Sequence, residues 1–191
     1  MNITAADARI EYFPKFIPMG ERFSLFEWLL DNVPWQQDDI VMYGKKMPIP
    51  RLQAWFGDTN ADYGYSGIRL TTLPWLPELM QLKTEIEHKT QSTFNAALVN
   101  LYRDGNDTVG WHSDDESELG HQPTIASISL GETREFQLKH KVSKEKLSIR
   151  LTSGSLLVMS GNTQHCWQHC VPRSKRVQSP RINITFRKII R

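Results

Sequence analysis

The chain has 191 residues, 39% of them hydrophobic, which is enough for one domain with a sizeable core and too little for a second independent one. Its 23 basic and 21 acidic residues leave a net charge of +2, so bulk charge announces no nucleic-acid partner and any basic face must come from clustering. Two cysteines, Cys166 and Cys170, make no disulfide framework. The stretch MNITAADARIEYFPKF has no long apolar core, and no apolar run approaches the roughly 18 residues of a spanning helix. A reduced, cytoplasmic protein away from membranes is expected, in which the sequons at Asn2, Asn106 and Asn183 carry no glycan.

In chain order, ERFSLFEWLLDNVPW places Phe23, Phe26, Leu29 and Leu30 near helical spacing, and Pro34 stops the helix. DDIVMYGKKMPIPRLQAWFGDTNADYGYSGIRLT follows, rich in Gly, Pro and aromatics, and reads as loops and short hairpins. PELMQLKTEIEHKT is a second helix, with Pro77 suited to its first position and Leu79, Leu82 and Ile86 on one face. From about residue 94 the period turns strand-like in FNAALVNLY, TIASISLG, REFQLKH, KLSIRLTS, GSLLVMSG and RINITFRKI. An antiparallel sandwich or jelly roll behind a helical N-terminal layer is expected: one domain, with residues 1 to about 93 as the layer and about 94 to 191 as the β core.

WHSDDE, residues 111 to 116, puts His112 and Asp114 two apart, so in a strand an imidazole and a carboxylate share one face. A His-x-Asp pair is also an ordinary feature of solvated loops, and a metal site needs a third ligand. NTQHCWQHCVP offers His165, Cys166, His169 and Cys170. The glutamate of a zincin helix is missing, and no second cysteine pair exists for a closed zinc site. One of these histidines with His112 and Asp114 would give two imidazoles and one carboxylate, the facial set of non-haem Fe(II) oxygenases. A buried, hydrogen-bonded structural histidine remains the other reading of the segment.

RINITFR, as a strand, presents Arg181, Asn183, Thr185 and Arg187 on one face and Ile182, Ile184 and Phe186 on the other. No acidic residue on that face offsets the arginines, so it meets water or an anion, and the planar guanidinium fork suits a carboxylate. The two arginine α-carbons would lie about 20 Å apart at the extended rise, so each arginine has its own task, one at a distal carboxylate and one nearer the metal. Asn100 and Tyr102 share a strand face in VNLYRDG and suit the same dicarboxylate.

Taken together, NLYRDGNDTVGWHSDDE, ISLGETREFQLKHK, SGSLLVMSGNTQHCWQH and SPRINITFRKI resemble the AlkB family of Fe(II)- and 2-oxoglutarate-dependent dioxygenases, and PRLQAWFGD and YGYSG are similar to its substrate-recognition region. The resemblance implies a double-stranded β-helix, a jelly roll, with a nucleotide-recognition lid. It implies Fe(II) held by His112, Asp114 and His169, with His169 preferred to His165 because it follows an aromatic and precedes a turn in WQHCVP. It further implies 2-oxoglutarate held by Arg181 at the distal carboxylate, by Arg187 nearer the metal, and by Asn100, Tyr102 and Asn183, with O2 as the second co-substrate. The thiols of Cys166 and Cys170 depart from the pattern and would expose the site to oxidative inactivation.

The implied reaction is oxidative removal of an N-methyl group from 1-methyladenine or 3-methylcytosine in alkylated DNA, releasing formaldehyde, succinate and CO2, with the base flipped or presented on a single strand. Tyr65 matches the stacking aromatic, with Trp55 or Tyr63 as the opposite wall. Asp115 and Glu116 would read the cationic base, and Tyr43 would fill the gap left by a flipped nucleotide. Lys139, Lys141, Lys144 and Lys146, with Arg173, Lys175 and Arg176, would meet phosphates. RNA or another substrate on the same scaffold is the alternative, and a non-catalytic jelly-roll binding module is the rival from another class. No interface signature stands out, and a monomer is expected.

Overall fold

The computed structural model describes residues 1–42, 45–59, 61, 63–65 and 68–190. The N-terminal half comprises β1 (Asn2–Ile3), β2 (Arg9–Phe13), α1 (Met19–Asn32), β3 (Asp39–Met42), β4 (Lys45–Pro48), β5 (Leu52–Gly57), β6 (Tyr63–Tyr65), β7 (Ile68–Leu70), β8 (Thr72–Leu73) and α2 (Pro77–Thr90). The C-terminal half comprises β9 (Ala96–Tyr102), β10 (Val109–His112), β11 (Ile125–Gly131), β12 (Arg134–His140), β13 (Lys146–Leu151), β14 (Ser155–Ser160), a helical turn α3 (Thr163–Cys166), β15 (Trp167–Val171) and β16 (Arg181–Arg187).

Two layers face each other, antiparallel except for the parallel β5–β8 pair at one edge of the larger. The larger sheet runs β1-β2-β14-β11-β16-β9-β5-β8, and the smaller runs β10-β15-β12-β13. Strand alternation divides the larger sheet into two faces. Ala97, Val99 and Leu101 of β9, Ala126, Ile128 and Leu130 of β11, and Ile182, Ile184 and Phe186 of β16 form an apolar outer face under the helices. Phe26, Leu29 and Val33 at α1 and Leu79, Leu82 and Ile86 of α2 close this layer, the α2 face as its spacing predicts. Phe23 differs from the expectation: it is 74% exposed, because at 3.6 residues per turn it lies about a quarter turn from the centre of the Phe26–Leu29–Val33 stripe.

The inner face carries a second core, including Leu98, Ile125, Phe136, Leu138, Leu151, Leu157, Met159 and Trp167. At its centre this face turns polar. Register places Arg181 opposite Tyr102 and Asn183 opposite Asn100 on one side, and Asn183 opposite Ser129 on the other. All seven residues of β16 are buried, so the strand has no water-facing side and its polar residues point into the molecule.

The N-terminal half is less separate than expected. The segment read as loops and hairpins does hold the β3–β4 and β6–β7 pairs, but β5 within it is a full strand of the large sheet, paired with β9 and β8, and β2 pairs with β14.

Candidate active site

A cavity of about 460 Å³ opens between the two sheets, lined among others by Arg51, Asn100, Tyr102, His112, Asp114, Glu116, His169, Arg181, Asn183, Thr185 and Arg187. His112 ends β10 and His169 lies directly opposite it on β15, because those strands pair antiparallel in that register. Their rings meet edge to face with centroids 4.3 Å apart, and Phe136 stacks on His169 from β12 at 5.0 Å. Asp114 follows the end of β10, where its backbone N–H donates to Gln164 Oε1 at 2.9 Å. His112, Asp114 and His169 each bring one ligand atom within 4.8 Å of the others.

Hydrogen bonding fixes what these atoms offer. His112 Nδ1 is 2.8 Å from Gly110 O, and a carbonyl only accepts, so the proton of the neutral ring is on Nδ1 and the Nε2 lone pair faces Asp114 Oδ1 at 3.7 Å. Two acceptors face one another, which a cation reconciles. Burial opposes the Asp114 charge, but the Arg187 guanidinium beside it outweighs burial and holds the carboxyl at about 2. Arg187 Nη2 donates to Asp114 Oδ2 at 2.8 Å. Burial pushes His169 down to about 3 against the pull of Asp114, so its imidazole is neutral and able to ligate. The donor set of two nitrogens and one carboxylate fits Fe(II).

The anion side of the cavity is built by β16 and β9. Arg181 is 1% exposed and donates from Nη2 to Ser129 Oγ at 2.8 Å, while its buried Nε and Nη1 have no hydrogen-bond partner. Burial lowers its pKa to about 10 against the support of Tyr102, and the group stays charged. A buried guanidinium with two unspent donors fits a carboxylate. Asn100 Oδ1 accepts from Arg51 Nε at 3.0 Å, which leaves its Nδ2 donor unspent by the described hydrogen bonds. Asn183 is committed within the sheet, donating from Nδ2 to Ser127 Oγ and Ile128 O and accepting from Thr185 Oγ1.

Sequence reasoning missed Arg51 and Arg134. Arg51 is 6% exposed, lines the cavity and also donates to Thr108 O. Arg134 donates to Asp104 O, Asp107 O and Pro172 O, pinning the loop after β9, and its guanidinium lies 5.5 Å from the Tyr102 ring that Arg181 approaches at 5.2 Å. The signal for Arg51 was its place just before an apolar strand, in PRLQAWFG.

Several expected contacts are corrected. Trp55 is no cavity wall: it is 1% exposed in the inner core, with Nε1 donating to Ala61 O at 2.9 Å, because β5 is paired on both sides and alternation turns the ring inward. Asp115 points away from the cavity, 54% exposed and bridged to Lys141 at 3.0 Å; the chain turns Asp114 in and Asp115 out, and Glu116 lines the cavity. Lys141 is thereby engaged, and it also donates to Gln164 O. Lys144 donates to Lys141 O, and Arg173 donates to Asn106 Oδ1. Lys146, Lys175 and Arg176 are exposed, and Lys139 lies over the Trp111 ring. Tyr43 lies outside the described residues, as do the side chains of Tyr63 and Tyr65, which stand on β6.

His165 is exposed at the end of α3 and does not join the cluster. Cys170 is buried, which pushes its thiol up and leaves little reactive thiolate, while Cys166 is half-buried. Cys166 belongs to a second group of possible ligands with Asp7 and His140. There, His140 Nδ1 accepts N–H bonds from Val142 at 3.2 Å and Ser143 at 3.0 Å, so the ring proton is on Nε2, which lies 3.4 Å from Asp7 Oδ2 without a hydrogen bond between them.

Comparison with known proteins agrees with this geometry. Residues 9–187 match the model of the 2OG-Fe(II) oxygenase superfamily. The chain is 42% identical over 192 residues to alpha-ketoglutarate-dependent dioxygenase alkB homolog 3 of Mus musculus, covering 95% of this chain and 66% of that protein. It is 41% identical over 159 residues to DNA oxidative demethylase ALKBH2 of Homo sapiens, covering 79% and 61%. The chain thus spans just under two thirds of the curated relatives it matches. Among solved structures, OsALKBH1 superposes with a TM-score of 0.67 at 19% identity over 94% of this chain and 97% of that one, a likeness of fold. An oxidoreductase of the 2OG-Fe(II) oxygenase family from Burkholderia pseudomallei does so with a TM-score of 0.63 at 14% identity, over 93% and 84%. With a jelly roll, two imidazoles and one carboxylate in its cavity, and a buried arginine beside them, the chain belongs to the 2OG-Fe(II) oxygenase superfamily and, within it, to the AlkB family.

Proposed function

We propose that this protein removes N-methyl groups oxidatively from bases of the 1-methyladenine and 3-methylcytosine type in DNA, consuming 2-oxoglutarate and O2 at Fe(II) and releasing formaldehyde, succinate and CO2. The observation that carries the reading is the joint presence, in one cavity, of the His112, Asp114 and His169 cluster and the buried Arg181 with two unspent donors. The name of the ALKBH2 relative, a DNA oxidative demethylase, supports DNA as the substrate class.

When bound, the iron would allow O2, the oxidant, to take two electrons from 2-oxoglutarate, giving succinate and CO2, and two from the methyl C–H bond, which hydroxylates the methyl carbon. The chain supplies the rest. His112, Asp114 and His169 hold the metal on one side, and Arg187 keeps Asp114 ionised and fixed in orientation. Arg181 grips the far carboxylate of the co-substrate, Asn100 adds an amide donor oriented by Arg51, and Tyr102 packs beside them. Glu116, at the cavity wall, favours a base that carries positive charge. The apolar lining from Ile49, Leu98, Val109 and Phe136 keeps water from the reacting carbon. No side-chain nucleophile is required. The N-terminal lid, with Tyr65 and Tyr63, holds the base, and the exposed Lys146, Lys175 and Arg176 meet phosphates.

The test supplies Fe(II)-loaded protein with 2-oxoglutarate, O2 and an oligonucleotide bearing one 1-methyladenine, single-stranded and duplex in parallel, with an RNA strand of the same sequence. Formaldehyde in proportion to methyl lost, greatest on DNA, is expected. Succinate without formaldehyde from any strand would remove the nucleic-acid substrate and keep the oxygenase.

A further inference from the structure

Five of the six tryptophans are packed. Trp55 and Trp167 are fully buried, and Trp28, Trp35 and Trp75 lie half-buried against the core under the helices. Trp111 is 42% exposed, and it stands in the sequence between Gly110 and the metal-side His112. An indole left in water forgoes the stabilisation of burial, and one such residue alone is unremarkable on a protein surface. Its surroundings set this one apart.

Trp111 lines the mouth of the cavity together with its neighbours Val109, Gly110 and His112. Its strand, β10, is the edge of the four-stranded sheet, so no further strand of that sheet covers the exposed ring on its outer side. From β12, Lys139 Nζ reaches to 5.8 Å from the indole centroid. Among the described residues Lys139 has no ion pair: Lys141 holds Asp115, and Glu135 is engaged by Ser148 and Gln137. Lys146 is its register partner on β13 and adds a second exposed cation.

We propose that Trp111, backed by Lys139, is a stacking platform for the base adjacent to the one held in the cavity, so that the protein recognises at least two consecutive nucleotides of a single strand. An aromatic face that accepts any base, beside a cation for the backbone, is the chemistry by which single-stranded nucleic acid is held. In a duplex the neighbouring base already has its stacking partners, so the platform acts on strands that are open or have been opened. This inference rests on the demethylase reading for the identity of the held base and on the exposed ring for the site itself.

The experiment is a double cycle of protein and strand. Fe(II)-loaded protein with 2-oxoglutarate, kept anaerobic to prevent turnover, is titrated into two labelled nonanucleotides with one central 1-methyladenine, one flanked by thymines and the other by abasic spacers. Base stacking of about 1–3 kcal/mol predicts that Trp111→Ala weakens the thymine-flanked strand about tenfold. The same substitution weakens the abasic-flanked strand less than about twofold, and Trp111→Phe keeps most of the affinity. Lys139→Ala lowers the salt dependence by roughly one phosphate contact. Equal weakening on both strands would place Trp111 in the support of the cavity and overturn the platform, as would no weakening on either. An unmodified thymine strand separates the two readings. Tight binding that falls in Trp111→Ala, from a protein that releases no formaldehyde, keeps the platform and removes the demethylase. No affinity of the wild-type protein for any strand overturns the platform.

Discussion

Among the described residues, two clusters bring a carboxylate and histidine within ligand distance of a third donor, and they teach opposite lessons. In the cavity, His112 gives its Nδ1 proton to Gly110 O and keeps an Nε2 lone pair facing Asp114. Beside the N-terminal segment, His140 spends its Nδ1 lone pair on the Val142 and Ser143 N–H groups and keeps a proton on Nε2. The first arrangement confronts a lone pair with a carboxylate and needs a cation between them. The second turns an N–H toward the Asp7 carboxylate at 3.4 Å, outside hydrogen-bond geometry, and leaves no lone pair on that nitrogen for a metal. Which ring nitrogen the backbone claims thus separates a metal site from a structural tie, although both clusters have residue types and distances of the right kind.

The largest expected effect breaks the first cluster. His169→Ala or Asp114→Ala should abolish bound Fe(II) and turnover together. Loss of groups that merely orient a ligand typically costs about 10–100-fold, so loss of a ligand itself should exceed that. Metal content by elemental analysis, beside formaldehyde release, is the measurement, and a variant that retains both would remove its residue from the set. Asp114→Ala also leaves Arg187 buried without its carboxylate partner, so the fold is checked by circular dichroism and Asp114→Asn serves as the milder variant.

A smaller effect falls on the co-substrate. Arg181→Met should raise the 2-oxoglutarate requirement by about 10–100-fold, the loss of a charge-assisted pair of roughly 1.5–3 kcal/mol, while metal content stays at the wild-type level. Arg181→Lys restores a point charge without the planar fork and should recover part of the affinity. A 2-oxoglutarate titration at fixed Fe(II) reads both, and an unmoved requirement would shift the anion site elsewhere.

Much of this was legible in sequence, for a physical reason that also marks where legibility ends. RINITFR announced itself because its two faces differ in kind, and a strand has only two faces; burial of all seven residues turns the polar face into a site. The helices α1 and α2 were legible from spacing, although spacing alone could not tell that Phe23 overhangs the layer. Strand β15, with the sequence WQHCV, has a single branched residue, Val171 at its end, and no clear alternation to mark it, so its histidine was placed by family resemblance and its pairing with β10 was invisible. Trp55 shows the commonest ambiguity. An aromatic in a half-apolar run fills a core or lines a pocket, and only the second neighbour of β5 decides. Asp115 and Asp114 are chemically equal in the sequence, and one turn of backbone after β10 sends the first to Lys141 and the second to Arg187. The His140 tie is local, since its two N–H donors lie two and three residues on in the turn between β12 and β13, but no residue type in HKVSKEK announces that the ring folds back onto that turn.

A third substitution sharpens the contrast from the structural side. His140→Ala should leave one Fe(II) per chain and cost stability, since it strands two backbone N–H groups and removes the ring that packs edge to face on Trp167 at 5.1 Å. A loss of about 2–4 kcal/mol is expected from the cavity and the unpaired donors. His140→Asn places an oxygen where Nδ1 accepts and should recover part of it. The urea midpoint measures the loss, and a fall in metal content without a fall in stability would recast the cluster as a metal site.

The smallest effect is the most discriminating. Asp7 is 59% exposed, its contact with His140 is long at 3.4 Å, and its backbone is left-handed at φ +56, a conformation asparagine also tolerates. Asp7→Asn therefore removes one charge and little else, and an exposed pair of this kind contributes no more than about 1 kcal/mol. If the cluster is only a tie, Asp7→Asn and Cys166→Ser each leave turnover and the single bound metal as they were, and the melting temperature moves by a few degrees at most. If His140 releases its Nε2 proton to a metal, the same two substitutions abolish a second equivalent of bound Zn(II) in equilibrium dialysis. Because neither side chain lines the cavity, that outcome is readable without touching the iron. The hydrogen bonds at His140 predict one metal per chain in all three proteins, wild type included.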